Sequence, residues 1–289
     1  MYKKILIPLD GSKLAEQILP FARSFAEASQ APVELLKVND PGRIAAYAPP
    51  LQGGEYLDAV AKKFFPPHWR IEKTVELGEP ATIIVERTGG DPDCLIAMAT
   101  HGMSGIRRWL MGSVASKVAQ TSLSPVLLIH PTETTESPAS FRPGTILLPL
   151  DGSGLAEKAL AHAAEIAKRM ISELHLLRVY SVPSHAYVVA DGVTAQGPVP
   201  FRDAMELEAT TYLNAKADGL RADGIKQLTV TAIEGDAATE IIDLVDRTPM
   251  SMVVMSTHGR SGVGRWLLGS IAERVIQHSH APVLLIRSG

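Results

Sequence analysis

The sequence predicts an α/β protein made of two tandem copies of one doubly wound, five-stranded parallel sheet. Three observations carry this expectation. First, the chain repeats itself: 12 of the 18 residues in 5–22 recur in 146–163, at an offset of 141. Likewise 20 of the 33 residues in 98–130 recur in 255–287, at an offset of 157. Self-similarity on this scale means a duplicated folding unit. Second, short apolar runs alternate with longer amphipathic stretches, the pattern of strand–helix units with right-handed crossovers. Third, ILIPL, CLIAMA and PVLLI are continuously apolar. Strands covered by helices on both faces read this way, as in a parallel sheet.

Element by element, the first copy begins with a strand at 3–9. Asp10-Gly11-Ser12 then supplies a helix start, and the amphipathic run 13–28 follows. Strands at 33–38, 71–76, 94–99 and 125–130 alternate with helices at 55–65, 80–88 and 113–122. The offset grows by 16 residues between Val179, which matches Val38, and Gly235, which matches Gly78. The second copy therefore carries an insertion within about 180–205, rich in Pro and Gly. It reads as a long loop, either a binding loop or an unstructured excursion. The stretch 131–144 is rich in Pro, Thr, Ser and Glu and reads as a linker. The expected organisation is a first domain at 1–132, a linker at 133–144 and a second domain at 145–289.

Composition narrows the function classes. The 289 residues are 46% hydrophobic and 20% charged, enough for two buried cores. A net charge of −3 argues against a nucleic-acid binder, which would carry a basic stripe. The single cysteine, Cys94, excludes an intrachain disulfide and a cysteine-rich zinc site, and reads as inert packing. No run approaches the roughly 18 apolar residues of a membrane span, and the apolar run at Ile5–Leu9 is too short for a signal peptide. The expectation is a cytoplasmic protein that engages neither nucleic acid nor membrane.

Doubly wound sheets bind ligands beyond the carboxyl ends of their strands, so the loops there are where chemistry is sought. After the first strand comes Pro8-Leu9-Asp10-Gly11-Ser12, repeated as Pro149-Leu150-Asp151-Gly152-Ser153. The serines read as helix caps. Asp10 and Asp151 stand where a carboxylate can meet a ribose hydroxyl or a metal-bound water. After the fourth strand comes Thr100-His101-Gly102-Met103-Ser104-Gly105, with Gly112-Ser113 opening the next helix. Thr257-His258-Gly259-Arg260-Ser261-Gly262 and Gly269-Ser270 repeat it. Glycine lets backbone N–H groups approach an anion and tolerates positive φ, and a helix start adds its dipole. Ser113 reads as a further donor, or as the helix cap. Arg108 and Arg265 are matched cations within this loop. His101 and His258 read either as a base or ligand or as backbone-bonded residues, with no second histidine close in sequence. Trp109 and Trp266 read as loop anchors.

These motifs resemble the universal stress protein family in its tandem two-domain form. The carriers are Pro-Leu-Asp-Gly-Ser, Gly78-Glu79-Pro80, and Thr-His-Gly followed by Gly-Ser and Ser-x-x-Pro-Val-Leu-Leu-Ile. The resemblance covers nearly the whole chain. It implies an adenine-nucleotide α-hydrolase-like sheet of order 3-2-1-4-5 in each copy, and a family divided into members that bind ATP and members that do not. The ATP-binding pattern is Gly, two residues, Gly, nine residues, Gly, then Ser or Thr. It maps to Ala99, Gly102, Gly112 and Ser113, and to Ser256, Gly259, Gly269 and Ser270, with the first glycine replaced in both copies. By resemblance Pro8, Asp10, Val38 and Met98 line the adenine–ribose end, and Gly102, Gly112, Ser113 and Val114 hold the phosphates. The second set is Pro149, Asp151, Val179, Met255, Gly259, Gly269, Ser270 and Ile271. Arg260 replaces Met103, which implies tighter nucleotide binding in copy two.

The leading expectation is an ATP-binding stress-response regulator or sensor with little or no turnover, with Mg²⁺ held only through the phosphates. The alternatives are an interaction scaffold without nucleotide and a slow ATPase. The strands PVLLIH and PVLLIR would leave apolar sheet edges. Pairing of the two domains within the chain, or a homodimer, would cover them.

Overall fold

The computed structural model describes residues 1–42, 53–102, 111–132, 140–182, 199–257 and 268–287. The first copy runs β1 (Lys4–Pro8), α1 (Lys13–Glu16), α2 (Leu19–Ser29), β2 (Val33–Asn39), α3 (Gly54–Phe64), β3 (Ile71–Leu77), α4 (Pro80–Thr88), β4 (Cys94–Ala99), α5 (Ser113–Thr121) and β5 (Val126–Ile129). The second runs β6 (Thr145–Pro149), α6 (Gly154–Met170), β7 (Glu173–Tyr180), α7 (Val199–Ala222), β8 (Leu228–Glu234), α8 (Ala237–Arg247), β9 (Ser251–Ser256), α9 (Ser270–His278) and β10 (Val283–Ile286).

The apolar strand runs do what their composition demands. Every residue of β4, β5, β9 and β10 is buried, whereas the outer strand β3 is partly exposed. The strands form one sheet of order β3-β2-β1-β4-β5-β10-β9-β6-β7-β8. Each copy thus has the 3-2-1-4-5 order, and pairing within a copy is parallel throughout. The seam is different: β10 pairs antiparallel with β5, Leu284 facing Leu127. These two leucines are equivalent in the repeat, so a pseudo-two-fold axis passes between them. Alternate strand residues feed two cores. One lies under α2, α3, α6 and α7, and the other under α4, α5, α8 and α9; each contains residues of both copies.

Two elements depart from the expectation. The first helix is interrupted, ending at Glu16 and resuming at Leu19, while its counterpart α6 runs unbroken for 17 residues. Pro20 is the cause: it has no N–H to return to Glu16, and it sits in the first turn of α2. Copy two has Ala161 at that place. In addition, the insertion expected to be loop within 180–205 is helical from Val199, because α7 extends to 24 residues against 11 in α3. The linker also does more than connect. Phe141 is buried, its ring 4.6 Å from Phe21, and its N–H donates to Ser24 Oγ at 3.2 Å.

Candidate functional site

Each copy has a cleft at its switch point, where β1 and β4, or β6 and β9, part at their carboxyl ends. Cleft one, of about 230 Å³, is lined by Pro8, Asp10, Val38, Met98, Ala99, Gly102, Gly112, Ser113 and Val114 among others. Cleft two, of about 410 Å³, is lined by Pro149, Asp151, Val179, Met255, Ser256, Gly269, Ser270 and Ile271 among others. Every site residue expected from sequence and described in the structure therefore falls on a cleft wall. Gly259 and Arg260 lie outside the described residues, as do His258, Arg108, Arg265, Trp109 and Trp266.

The turn after β1 is built by Asp10. Its Oδ1 accepts from Ser12 N at 2.9 Å and from Ser12 Oγ at 2.7 Å. Ser12 Oγ in turn accepts from Ala15 N at 3.1 Å, the cap expected of it. Ser153 caps α6 through Ala156 N, also at 3.1 Å. The other face of the Asp10 carboxylate meets Gly102, where a Cβ would collide with it. Gly102 thus leaves room for this carboxylate, which a Cβ would displace.

Gly112 is required by close approach, and not by an unusual backbone. Its φ is −60° and that of Gly269 is −63°, both ordinary. A Cβ at Gly112 would lie 2.9 Å from the Thr100 carbonyl oxygen. That carbonyl accepts from Gly112 N at 2.8 Å, and Thr257 O accepts from Gly269 N at 2.8 Å. These bonds close the two loops. Gly112 and Gly269 are the N-caps of α5 and α9, and neither has a side chain to cap with. Ser113, expected as a possible cap, is instead the first helical residue. By contrast Glu79 caps α4 and Asp236 caps α8. The starts of α5 and α9, which line the clefts, carry no side-chain cap bond at their N-cap glycines, so first-turn N–H groups there are open to a ligand acceptor. Ala99 and Ser256, which replace the first glycine of the family pattern, end buried strands without positive φ. Nothing in the backbone there demands glycine.

His101 is buried, and its Nδ1 lies 3.0 Å from Thr100 Oγ1. The fold supplies a second histidine that sequence spacing did not: the His130 ring stands edge-on to it, centroids 5.2 Å apart. Burial, with His101 and His280 nearby, holds His130 below the usual histidine pKa. Among the described residues, no group of three or more His, Cys, Asp or Glu could hold a metal ion. Cys94 is buried, and burial pushes its thiol up to about 11, in keeping with inert packing.

Sequence reading missed a cation in each cleft, half-buried Lys37 and buried Arg178. Lys37 Nζ donates to the Asp10 carbonyl at 2.9 Å and lies 5.6 Å from the Tyr56 ring centroid. Its counterpart Arg178 lies 4.7 Å from the Tyr212 ring centroid, and Tyr212 donates to Glu157 at 3.0 Å. Desolvation lowers the Lys37 pKa. The signal was present: LLKV and LLRV place a cation at one repeat position inside an apolar strand.

A duplicated doubly wound sheet with a glycine-bounded cleft at each switch point defines a class of tandem-domain α/β proteins. Within that class, the chain belongs to the universal stress protein family, whose model matches residues 1–130 and again 143–287. Universal stress protein MJ0531 of Methanocaldococcus jannaschii is 30% identical over 142 residues, covering 49% of this chain and 81% of that protein. Universal stress protein YxiE of Bacillus subtilis is 30% identical over 148 residues, covering 49% of this chain and 97% of that protein. Among solved structures, a functionally unknown protein from Pseudomonas aeruginosa superposes with a TM-score of 0.70 at 18% identity, covering 99% of this chain and 92% of the other. A universal stress protein from Archaeoglobus fulgidus gives a TM-score of 0.62 at 20% identity, with coverages of 99% and 96%. These likenesses show the fold.

Proposed function

We propose that this universal stress protein binds an adenine nucleotide in each cleft and acts as a nucleotide-dependent stress-response regulator with little or no turnover. The observation that carries the reading is the pair of side-chain-uncapped helix starts at Gly112-Ser113 and Gly269-Ser270, each opening into its cleft. Backbone N–H groups and a helix dipole in that position suit a phosphate. Asp10 and Asp151 stand across the cleft, where a carboxylate can accept from ribose hydroxyls. Val38, Met98 and Ile84 offer apolar walls to a base in cleft one, and Val179, Met255 and Ile241 do so in cleft two. ATP is the favoured ligand, with Mg²⁺ carried on its phosphates.

The scaffold reading drew its support from the missing first glycine, and the extended backbone at Ala99 and Ser256 weakens that support. A slow ATPase would need a positioned base. The candidate, His101, is buried against Thr100 and His130. The test is mass spectrometry of denatured, purified protein, followed by titration of the double variant Gly112→Ala, Gly269→Ala. ATP should co-purify with the parent, and the double variant should remain folded by circular dichroism yet bind at least tenfold more weakly, since ~1.4 kcal/mol of lost phosphate contact is a factor of ten. Absence of nucleotide with unchanged binding in the variant would favour the scaffold.

A further inference from the structure

The two clefts match position for position along most of their walls, and they differ at one end. Cleft one ends in Asn39, Asp40 and Pro80, whereas cleft two ends in Tyr180, Ser181 and Ala237 and adds Met205 and Glu208 from α7. Those two residues come from the part of α7 that precedes the point matching the start of α3. Tyr212 occupies the place of Tyr56, two residues into α3, so α7 residues before Thr210 precede the start of α3.

This part of α7 brings a carboxylate to the buried cation. Glu208 Oε1 accepts from Arg178 Nη2 at 2.8 Å, with the Arg178 side chain 7% exposed and that of Glu208 56% exposed. Arg202 anchors the same segment to Glu234 at 2.6 Å. In cleft one, Lys37 donates to a backbone carbonyl, and among the described residues no carboxylate lies within ion-pair distance of it. In cleft one the Lys37 ammonium feels the nearby Asp10 charge without a direct ion pair, whereas in cleft two Arg178 is directly paired with Glu208. A surface-tethered carboxylate on a buried guanidinium is a competitor for any ligand anion that enters.

We infer that Glu208, carried by the N-terminal part of α7, sets the charge selectivity of cleft two, occupying Arg178 and disfavouring highly anionic ligands relative to weakly charged ones. This rests on the nucleotide reading for the identity of the ligand, but the charge device itself stands on the Arg178–Glu208 geometry. With Glu208 neutral, Arg178 becomes available to a phosphate, so affinity should rise with ligand charge.

The experiment titrates the full chain carrying Gly112→Ala, so that cleft two is read alone, with ATP, adenosine and tripolyphosphate. Glu208→Gln should tighten ATP and tripolyphosphate about fivefold at low salt and leave adenosine unchanged, with the gain falling as salt screens it. Asp203→Asn, an equal charge change on the same helix away from the cleft, should do neither. Equal gains for adenosine and ATP, no gain for any anion, or an equal gain from Asp203→Asn would overturn the inference, whether or not nucleotide binds. A gain for tripolyphosphate, with ATP and adenosine bound by no variant, would keep the charge device and remove the nucleotide reading.

Discussion

Glu79 shows how one side chain serves both local geometry and charge. Gly78, at φ 153°, turns the chain so that a Cβ would meet Ile83 at 2.7 Å. Glu79 then accepts from Thr82 N at 2.8 Å and Ala81 N at 3.2 Å, capping α4. Lys117 of α5 donates to it at 2.8 Å, and Asp236 with Arg274 repeats the pair at 2.9 Å in copy two. The bond from Lys117, then that from Thr82, holds the Glu79 carboxyl down at about 2. A folded-state pKa below the unfolded value near 4.5 makes a contribution that is present above that value and lost as pH falls towards 2. Glu79→Gln should cost about 0.5 kcal/mol at pH 7, because the pair is half exposed and screened. Urea denaturation of variant and parent should converge as pH falls through that window, and an undiminished gap at its acid end would contradict this account. The Gly-Glu-Pro motif therefore shapes the turn into α4, and the cleft-facing glycines 102 and 112 do separate work through close approach.

At the scale of elements, the comparison of α1–α2 with α6 points to one residue, Pro20, as the helix breaker. Both copies start with a serine cap and an amphipathic run, and among the residues that differ between them Pro20 is the one that cannot continue a helix. Ala161→Pro would place a proline eight residues into α6 and remove an i→i−4 bond there. It should cost about 3 kcal/mol, measurable as a lowered urea midpoint. A cost well below 1 kcal/mol would mean that the copy-one break has another origin. The helix α7 teaches the opposite lesson. Its low-periodicity N-terminal turns carry Phe201 and Leu207 exposed, so amphipathic pattern could not mark them as helix. What holds them is tertiary: the Arg178–Glu208 and Arg202–Glu234 pairs.

The whole molecule is one ten-stranded sheet whose two halves meet at β5 and β10. Both cores run continuously across that seam through Leu127, Leu284, Val126 and Val283. Further contacts join the copies: Tyr2 Oη lies 3.2 Å from His162 Nδ1, and Arg287 donates to the carbonyls of Gln120 and Ser122 at the end of α5. A fragment ending at residue 132 would expose the β5 edge and the apolar faces of Val126 and Leu128. It should self-associate or aggregate at tens of micromolar, by light scattering after size exclusion, because an unpaired apolar edge templates pairing. A stable monomer under those conditions would show that the seam adds little. No described helix is long and apolar enough to cross a membrane.

The duplication, the strand runs, the serine caps and the loop residues that line both clefts were all legible in the sequence. Each is encoded locally, by periodicity of 2 or 3.6, by a capping oxygen, or by a repeat at fixed offset. Non-local contacts carry no such signature. His130 beside His101, the cations Lys37 and Arg178 on their tyrosines, the reach of Glu208 into cleft two and the antiparallel β5–β10 register join residues far apart in sequence. Only tertiary packing decided those, because the free energy that selects them comes from burial and charge pairing in the assembled sheet.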